Sequence, residues 1–277
     1  MLEAKILRQL QLSNSEKILE NIQLAEFSVF SQWGDDGIIQ FLVDYLEIEN
    51  KSFIEFGVYD YEESNTRFLL MNNNWKGLVM DGSEANIKHI QKQDYYWRFD
   101  LTAEQAFITR ENINKLILSK GFDGKIGLLH IDIDGNDYWV WKALNCVDAT
   151  LVIIEYNAVF GADHSWTIPY NPAFQRTDAH FSNLYWGASL SCLCDLGASK
   201  GYAFVGTNSA GNNAYFIKKE SLKALHPLSS REGFTMSRYR ESRNESGHLT
   251  YLSGPDRIKA ISGCHVFNTR SMQTEIL

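Results

Sequence analysis

The sequence is poor in proline, with four, and poor in cysteine, also with four. So few prolines suit a chain dominated by regular elements. Cys146, Cys192, Cys194 and Cys264 are too few and too scattered for a disulfide framework. A basic excess is missing as well: 26 Lys and Arg face 34 Asp and Glu, for a net charge of −8. That balance argues against a nucleic-acid or anionic-membrane partner, because phosphate surfaces attract basic ones. No apolar run reaches the roughly 18 residues that span a bilayer. The N-terminus, MLEAKILRQLQLSNSEKILE, lacks the apolar block of a signal peptide. These absences lead us to expect a cytoplasmic protein. What is present is an ordinary globular composition: 277 residues, 44% hydrophobic and 13% aromatic. Such a chain can bury a real core in one large or two small domains.

Residues 1–25 read as one or two amphipathic helices broken near Ser13-Asn14-Ser15. Asp35 and Asp36 precede an apolar run with helical spacing, so a further helix is expected there. From residue 52 short apolar strands alternate with helices. The expected strands are Ser52–Val58, Gly77–Asp81, Tyr96–Leu101, Lys125–Ile133 and Thr150–Asn157. Helices are expected near Asn65–Asn72, Ser83–Gln93, Ala103–Lys120 and Asn136–Asn145. An irregular, aromatic-rich stretch follows to about Trp186 and suits a lid or pocket wall. After a helix over Gly187–Lys200, the strands Tyr202–Asn208 and Asn213–Lys218 are joined by only Ser209–Asn212, which permits a hairpin but no crossover. The expected fold is therefore α/β, a Rossmann-like, mostly parallel sheet closed by an antiparallel hairpin, the plan of a class I methyltransferase. Its expected divisions are an N-terminal helical cap (1–50), the core (51–220) and a C-terminal extension (221–277), read as helical.

In open α/β sheets, ligands bind outside the carboxyl ends of the strands. The first strand ends Glu55-Phe56-Gly57, where glycine lets backbone approach a ligand and Glu55 needs a cationic partner. A ligand ammonium or a structural ion pair would each serve. The nicotinamide fingerprint Gly-x-Gly-x-x-Gly is absent. The second strand ends Asp81-Gly82-Ser83, where an acid can accept ribose hydroxyls, although the triplet is also a good turn and helix cap. At the third end, Asp100-Leu101, Asp100 could accept an adenine amino group or cap a helix. The fourth end is His130-Ile131-Asp132-Ile133-Asp134-Gly135-Asn136-Asp137. Carboxylates this close repel unless a cation sits among them. The fifth ends Glu155-Tyr156-Asn157. Asp132, Asp134 and Glu155 are candidate ligands of a divalent cation, although Asp134 and Asp137 could instead cap a helix. Cys192-x-Cys194 is a poor zinc site without a second pair.

The strings SQWGDDG, FIEFGVYDYEESNTRFLL, WKGLVMDGSE, LLHIDIDGNDYWVW, IIEYN and KGYAFVGTNSAGNNAYF together resemble the bacterial FkbM-like class I S-adenosylmethionine-dependent methyltransferases, over residues 28–220. Such proteins are associated with capsule and polysaccharide biosynthesis. The resemblance implies a cofactor pocket of Gln32, Glu55, Gly57, Asn65, Asp81, Gly82, Ser83, Asp100 and Leu101, with Asp132 beside the methyl end. One departure is Tyr61, where many relatives have glycine. The implied reaction is methyl transfer from S-adenosylmethionine to an oxygen of a glycan precursor, or of a phosphorylated or nucleotide-linked small metabolite. Asp134, Asp137 and His164 are the candidate bases. The tail arginines Arg231, Arg238, Arg240 and Arg243 could bind an acceptor phosphate or form a solvated face. A homodimer is left open. The competing expectations are a metal-dependent glycosyltransferase using Asp132-x-Asp134, and a non-catalytic cofactor-binding subunit.

Overall fold

The computed structural model describes residues 2–277, apart from the side chains of residues 2–6 and 12. Ten strands are present among the described residues: β1 (Ser52–Phe56), β2 (Lys76–Asp81), β3 (Leu101–Gln105), β4 (Gly124–Ile131), β5 (Val147–Glu155), β6 (Trp166–Thr167), β7 (Tyr202–Thr207), β8 (Asn213–Lys218), β9 (His265–Asn268) and β10 (Gln273–Ile276). The helices in chain order are α1 (Leu2–Ser13), α2 (Ser15–Glu20), α3 (Asp35–Tyr45), α4 (Arg67–Asn73), α5 (Glu84–Lys92), α6 (Asp94–Arg98), α7 (Ile113–Ser119), α8 (Asp137–Ala143), α9 (Arg176–Ala179), α10 (Leu190–Ser199), α11 (Ser230–Gly233) and α12 (Pro255–Ala260).

Seven strands form one sheet in the order β3-β2-β1-β4-β5-β8-β7. The first five are parallel, while β8 runs antiparallel to both β5 and β7. The central strands read as near-continuous apolar runs because helices cover both faces. Phe53, Val79, Leu128 and Ile153 bury into one core with α3 and α5. Ile54, Leu78, Leu129 and Val152 bury into the other, with α8 and α10.

Two expectations are overturned. Tyr96–Leu101 is not a strand. Residues 94–98 form α6, capped by an Asp94–Arg98 ion pair across one turn, with Tyr95 buried against Tyr61 and beneath Arg67. The strand begins at Leu101, where Leu101 and Ala103 alternate inward. The expected helix over 103–120 shrinks to α7. The second correction concerns the tail. Instead of a helical segment, β9 and β10 pair with β6 in a small antiparallel sheet. Trp139 packs on Phe267 and Trp166 Nε1 donates to Glu275, so residues 265–276 are fastened over the aromatic stretch.

The residues before α3 form a clamp. Asp36 accepts from the backbone amides of Val29, Phe30 and Ser31 at 2.6–2.8 Å. Asp35 accepts from Asn208, Asn213 and the Tyr215 hydroxyl, which ties the loop to the β7–β8 hairpin. Gln32 and Trp33 are thereby held at the sheet edge. Asp36→Ala strands three backbone donors, one buried and two half-buried, and is expected to lower unfolding stability by about 2 kcal/mol in denaturant titration.

Candidate functional site

The carboxyl ends of β1 to β5 open into three adjoining cavities. The first, of about 250 Å³, lies over the ends of β2 and β3 and is lined by Gly57, Asp81, Gly82, Ala106, Phe107 and Ile108. The second, of about 130 Å³, is lined by Gln32, Trp33, Glu55, Gly57, Asn65 and Asp132, among others. The third, of about 210 Å³, takes in Gln32, Asp132, Asp134, Glu155, Arg176 and Arg257. Gly57 is common to the first two, and Gln32, Trp33 and Asp132 to the last two. The three thus make one trough along the sheet edge. Beside it opens a groove of about 850 Å³ walled by Phe107, Phe174, Phe181, Tyr239 and Arg243.

Gly57 sits at φ +70°, and a Cβ there would lie 1.6 Å from the Asp132 carbonyl oxygen. Only glycine lets the ends of β1 and β4 meet. Asp81 accepts from the amides of Tyr59 and Ser83 and from Asn86 Nδ2, at 2.8–3.0 Å, which aims its carboxylate at the first cavity. Ser83 caps α5 by accepting from the Asn86 amide. Beside Gly82 the space is open, with only Phe107 within 4 Å of a built Cβ.

The shift of β3 moves Asp100 and Leu101 to the wrong edge. The Asp100 carbonyl accepts from Gly77 at the start of β2, and Leu101 is buried in the core. The residues at the ligand edge of β3 are Gln105, Ala106 and Phe107 instead. Nothing in the local pattern marked Phe107, which follows a short, weakly apolar strand.

Glu55 has internal partners rather than a ligand. Its carboxylate accepts from the hydroxyls of Ser64 and Thr66, the amides of Asn65 and Thr66, and His130 Nδ1 at 3.0 Å. Asn65 Nδ2 meets His130 Nε2 at 3.0 Å. Burial pushes Glu55 up, but His130 and the hydroxyls more than offset this and hold it below its usual range. Burial pushes His130 down, but Glu55 raises it above an ordinary histidine. The contact with His130 is the structural ion pair that the sequence left open for Glu55, which also lines the second cavity. Tyr61, buried at φ +64°, hydroxyl-bonds Thr66 in the same network, in a backbone region that favours glycine.

The acidic string after β4 divides. Asp137 is fully buried and accepts from the amides of Ile133 and Gly135. Burial raises it to about 7. It closes the loop at the start of α8 and lines none of the four spaces. Asp134 occupies left-handed backbone at φ +54° and accepts from Arg176 Nη1 at 2.6 Å. Among the described residues no group of three or more His, Cys, Asp or Glu is placed to share a metal ion. Of the Asp132, Asp134 and Glu155 set, Asp134 is already taken by a protein guanidinium. His164 is exposed, stacks on Trp166 at 3.8 Å and lines none of these spaces either.

What remains at the third cavity is Asp132, Glu155 and two arginines. Burial and the neighbouring Asp134 push Asp132 up to about 6. Burial, with Asp132 next, raises Glu155 well above the carboxylate range. Arg176 also donates to the Asn183 carbonyl and lies over Trp186. Sequence reading missed Arg176 and Arg257, since neither belongs to a periodic or charged run. Of the four flagged tail arginines, Arg231 pairs with Asp163, and Arg243 pairs with Glu241 on the groove wall.

The sheet is mostly parallel and closed by an antiparallel hairpin at one edge, as the sequence led us to expect, with the trough at its carboxyl ends. No protein-family model and no curated protein matches the chain. Similar solved structures include the N-terminal domain of EvdMO1 with SAH bound, at 10% identity over 76% of this chain and 94% of that one, TM-score 0.44. Another is the O-methyltransferase from Bacillus cereus in complex with SAH, at 12% identity over 76% and 88%, TM-score 0.42. No helix among the described residues is long and apolar enough to cross a membrane.

Proposed function

We propose that the chain is an S-adenosylmethionine-dependent methyltransferase that methylates an oxygen of a small acceptor. A glycan precursor, or a phosphorylated or nucleotide-linked metabolite of surface-polysaccharide synthesis, is the acceptor class that the sequence resemblance suggests. The observation that carries this reading is the trough itself. It places Asp81, Gly57 and Asp132 in line at three adjacent strand ends, with Phe107 and Ile108 walling one end.

The residues present fit the cofactor. Asp81 would accept the ribose hydroxyls, and the open side of Gly82 against Phe107 would take the adenine. Gly57 lets backbone approach the amino-acid end, near Gln32. The cofactor supplies an already activated methyl group when bound. The chain's own work is to orient the acceptor, exclude water and receive a proton. Glu155 lines the third cavity, and its buried Oε2 has no hydrogen-bond partner among the described residues, so an acceptor placed there would lie beside it. The aromatic walls of the adjoining groove suit a sugar ring.

Asp81→Ala tests the cofactor assignment. The expected result is a tenfold to hundredfold weaker affinity for S-adenosylhomocysteine by calorimetry, about the worth of one or two charged hydrogen bonds, with an unchanged circular dichroism spectrum. Unchanged affinity would remove Asp81 from the pocket. Mass spectrometry of the freshly purified protein for retained S-adenosyl compounds is an independent check.

A further inference from the structure

Among the described residues, the cation with the most buried unpartnered nitrogens lines the third cavity. Arg257 is 4% exposed, and its Nε and Nη1 find no hydrogen-bond partner among the described residues. A buried guanidinium left unpaired is costly, so such a group persists where a ligand completes it. Its position is set by the fold. The helix α12 starts on Pro255, packs against the short turn Ala158–Phe160 that follows β5, and so carries Arg257 to the end of that strand. Arg176 reaches the same cavity from the aromatic stretch. Although Asp132 and Glu155 line the cavity too, neither bonds Arg257, and Glu155 Oε2 is itself unpartnered. Arg176 pairs with Asp134, but Arg257 and Glu155 stand in one space without pairing. A ligand that satisfies both must offer an acceptor to the guanidinium and a donor to the carboxylate.

We propose that Arg257, with Arg176 beside it, forms an anion subsite that selects an acceptor carrying both a hydroxyl and a negatively charged group. The planar fork of arginine suits a phosphate or a carboxylate equally, so the acceptor is a sugar phosphate or a sugar acid. The hydroxyl is then presented to Glu155 while the anion is held on Arg257. The subsite also resolves a conflict of charge, because an anionic acceptor would otherwise meet an acidic sheet edge. This inference rests on the methyltransferase reading for its place in a reaction, but its test does not depend on that reading.

The test is calorimetric titration of inorganic phosphate, D-glucuronate and D-glucose into the protein, with and without S-adenosylhomocysteine. At least one anion is expected to bind and D-glucose is not. Phosphate alone marks a phosphorylated acceptor, and glucuronate alone a sugar acid. Arg257→Met is expected to weaken the anion at least about tenfold, the worth of one charge-assisted bond, with the affinity for S-adenosylhomocysteine unchanged. Arg257→Lys, which keeps the charge and loses the fork, is expected to weaken it in part and serves if the methionine variant does not fold. No preference for either anion over glucose, or anion binding undiminished in both variants, overturns the subsite. If the wild type takes an anion through Arg257 but no S-adenosylhomocysteine, the subsite stands and the methyltransferase reading falls.

Discussion

Gly57→Ala is expected to abolish measurable binding of S-adenosylhomocysteine and to lower the thermal midpoint clearly. Two costs combine. An alanine at φ +70° gives up about 1–2 kcal/mol in the left-handed region. Its Cβ would also stand 1.6 Å from the Asp132 carbonyl oxygen, a backbone atom that no rotamer change can move. The ends of β1 and β4 must part, and those ends line the cavities that the cofactor would join. Gly82→Ala is the control, because its Cβ meets only Phe107 at 3.7 Å and its φ is not left-handed. That variant is expected to keep its stability within about 0.5 kcal/mol. Equal stability of Gly57→Ala and wild type would show that the two strand ends are not locked together.

Glu55→Gln carries the second large effect, this time on stability. The carboxylate is buried, bonds two hydroxyls and two amides, and faces His130. Removing one partner of a buried pair costs about 3–5 kcal/mol, which thermal or denaturant unfolding would register directly. The sign of the pH dependence follows from the two shifts. Glu55 is held below its usual 4.5, so its contribution is fully present above pH 4.5 and is lost as pH falls through the folded-state value. His130 is raised above its usual 6.5, so its contribution is full below pH 6.5 and is lost as pH rises through the folded-state value. The stability gap between wild type and Glu55→Gln is therefore expected to be widest between pH 4.5 and 6.5. A gap that stays constant across the pH range would show that the pair is not ionised in the fold.

The strands that carry the trough were legible because each is a short apolar run bounded by turn residues. β1, β2, β4 and β5 end where their polar residues begin, and Gly57, Asp81 and Asp132 follow at those ends. The third strand was misplaced because Tyr95-Tyr96-Trp97 has strand composition, whereas packing against Tyr61 and Arg67 makes it a helical turn. That displacement took Asp100 and Leu101 away from the edge and put Phe107 there. Glu55 and His130 were visible as polar residues in apolar strands, yet their mutual bond joins positions 75 residues apart. Arg176 and Arg257 left no trace in any local pattern. Each reaches the third cavity from a segment whose course depends on tertiary packing, around β6, β9 and α12.

Three carboxylates at the end of β4 first read as a place for an external cation. In the fold Asp137 staples a loop, Asp134 meets Arg176, and Asp132 faces the trough. The acidic edge thus contains its own positive charge.

Calorimetry of S-adenosylhomocysteine binding to the wild-type protein, in buffer with a metal chelator, tests the central claim most directly. The expected result is saturable one-to-one binding that Asp81→Ala weakens. Binding of a sugar nucleotide only with added Mn²⁺, and no binding of S-adenosylhomocysteine, would contradict it.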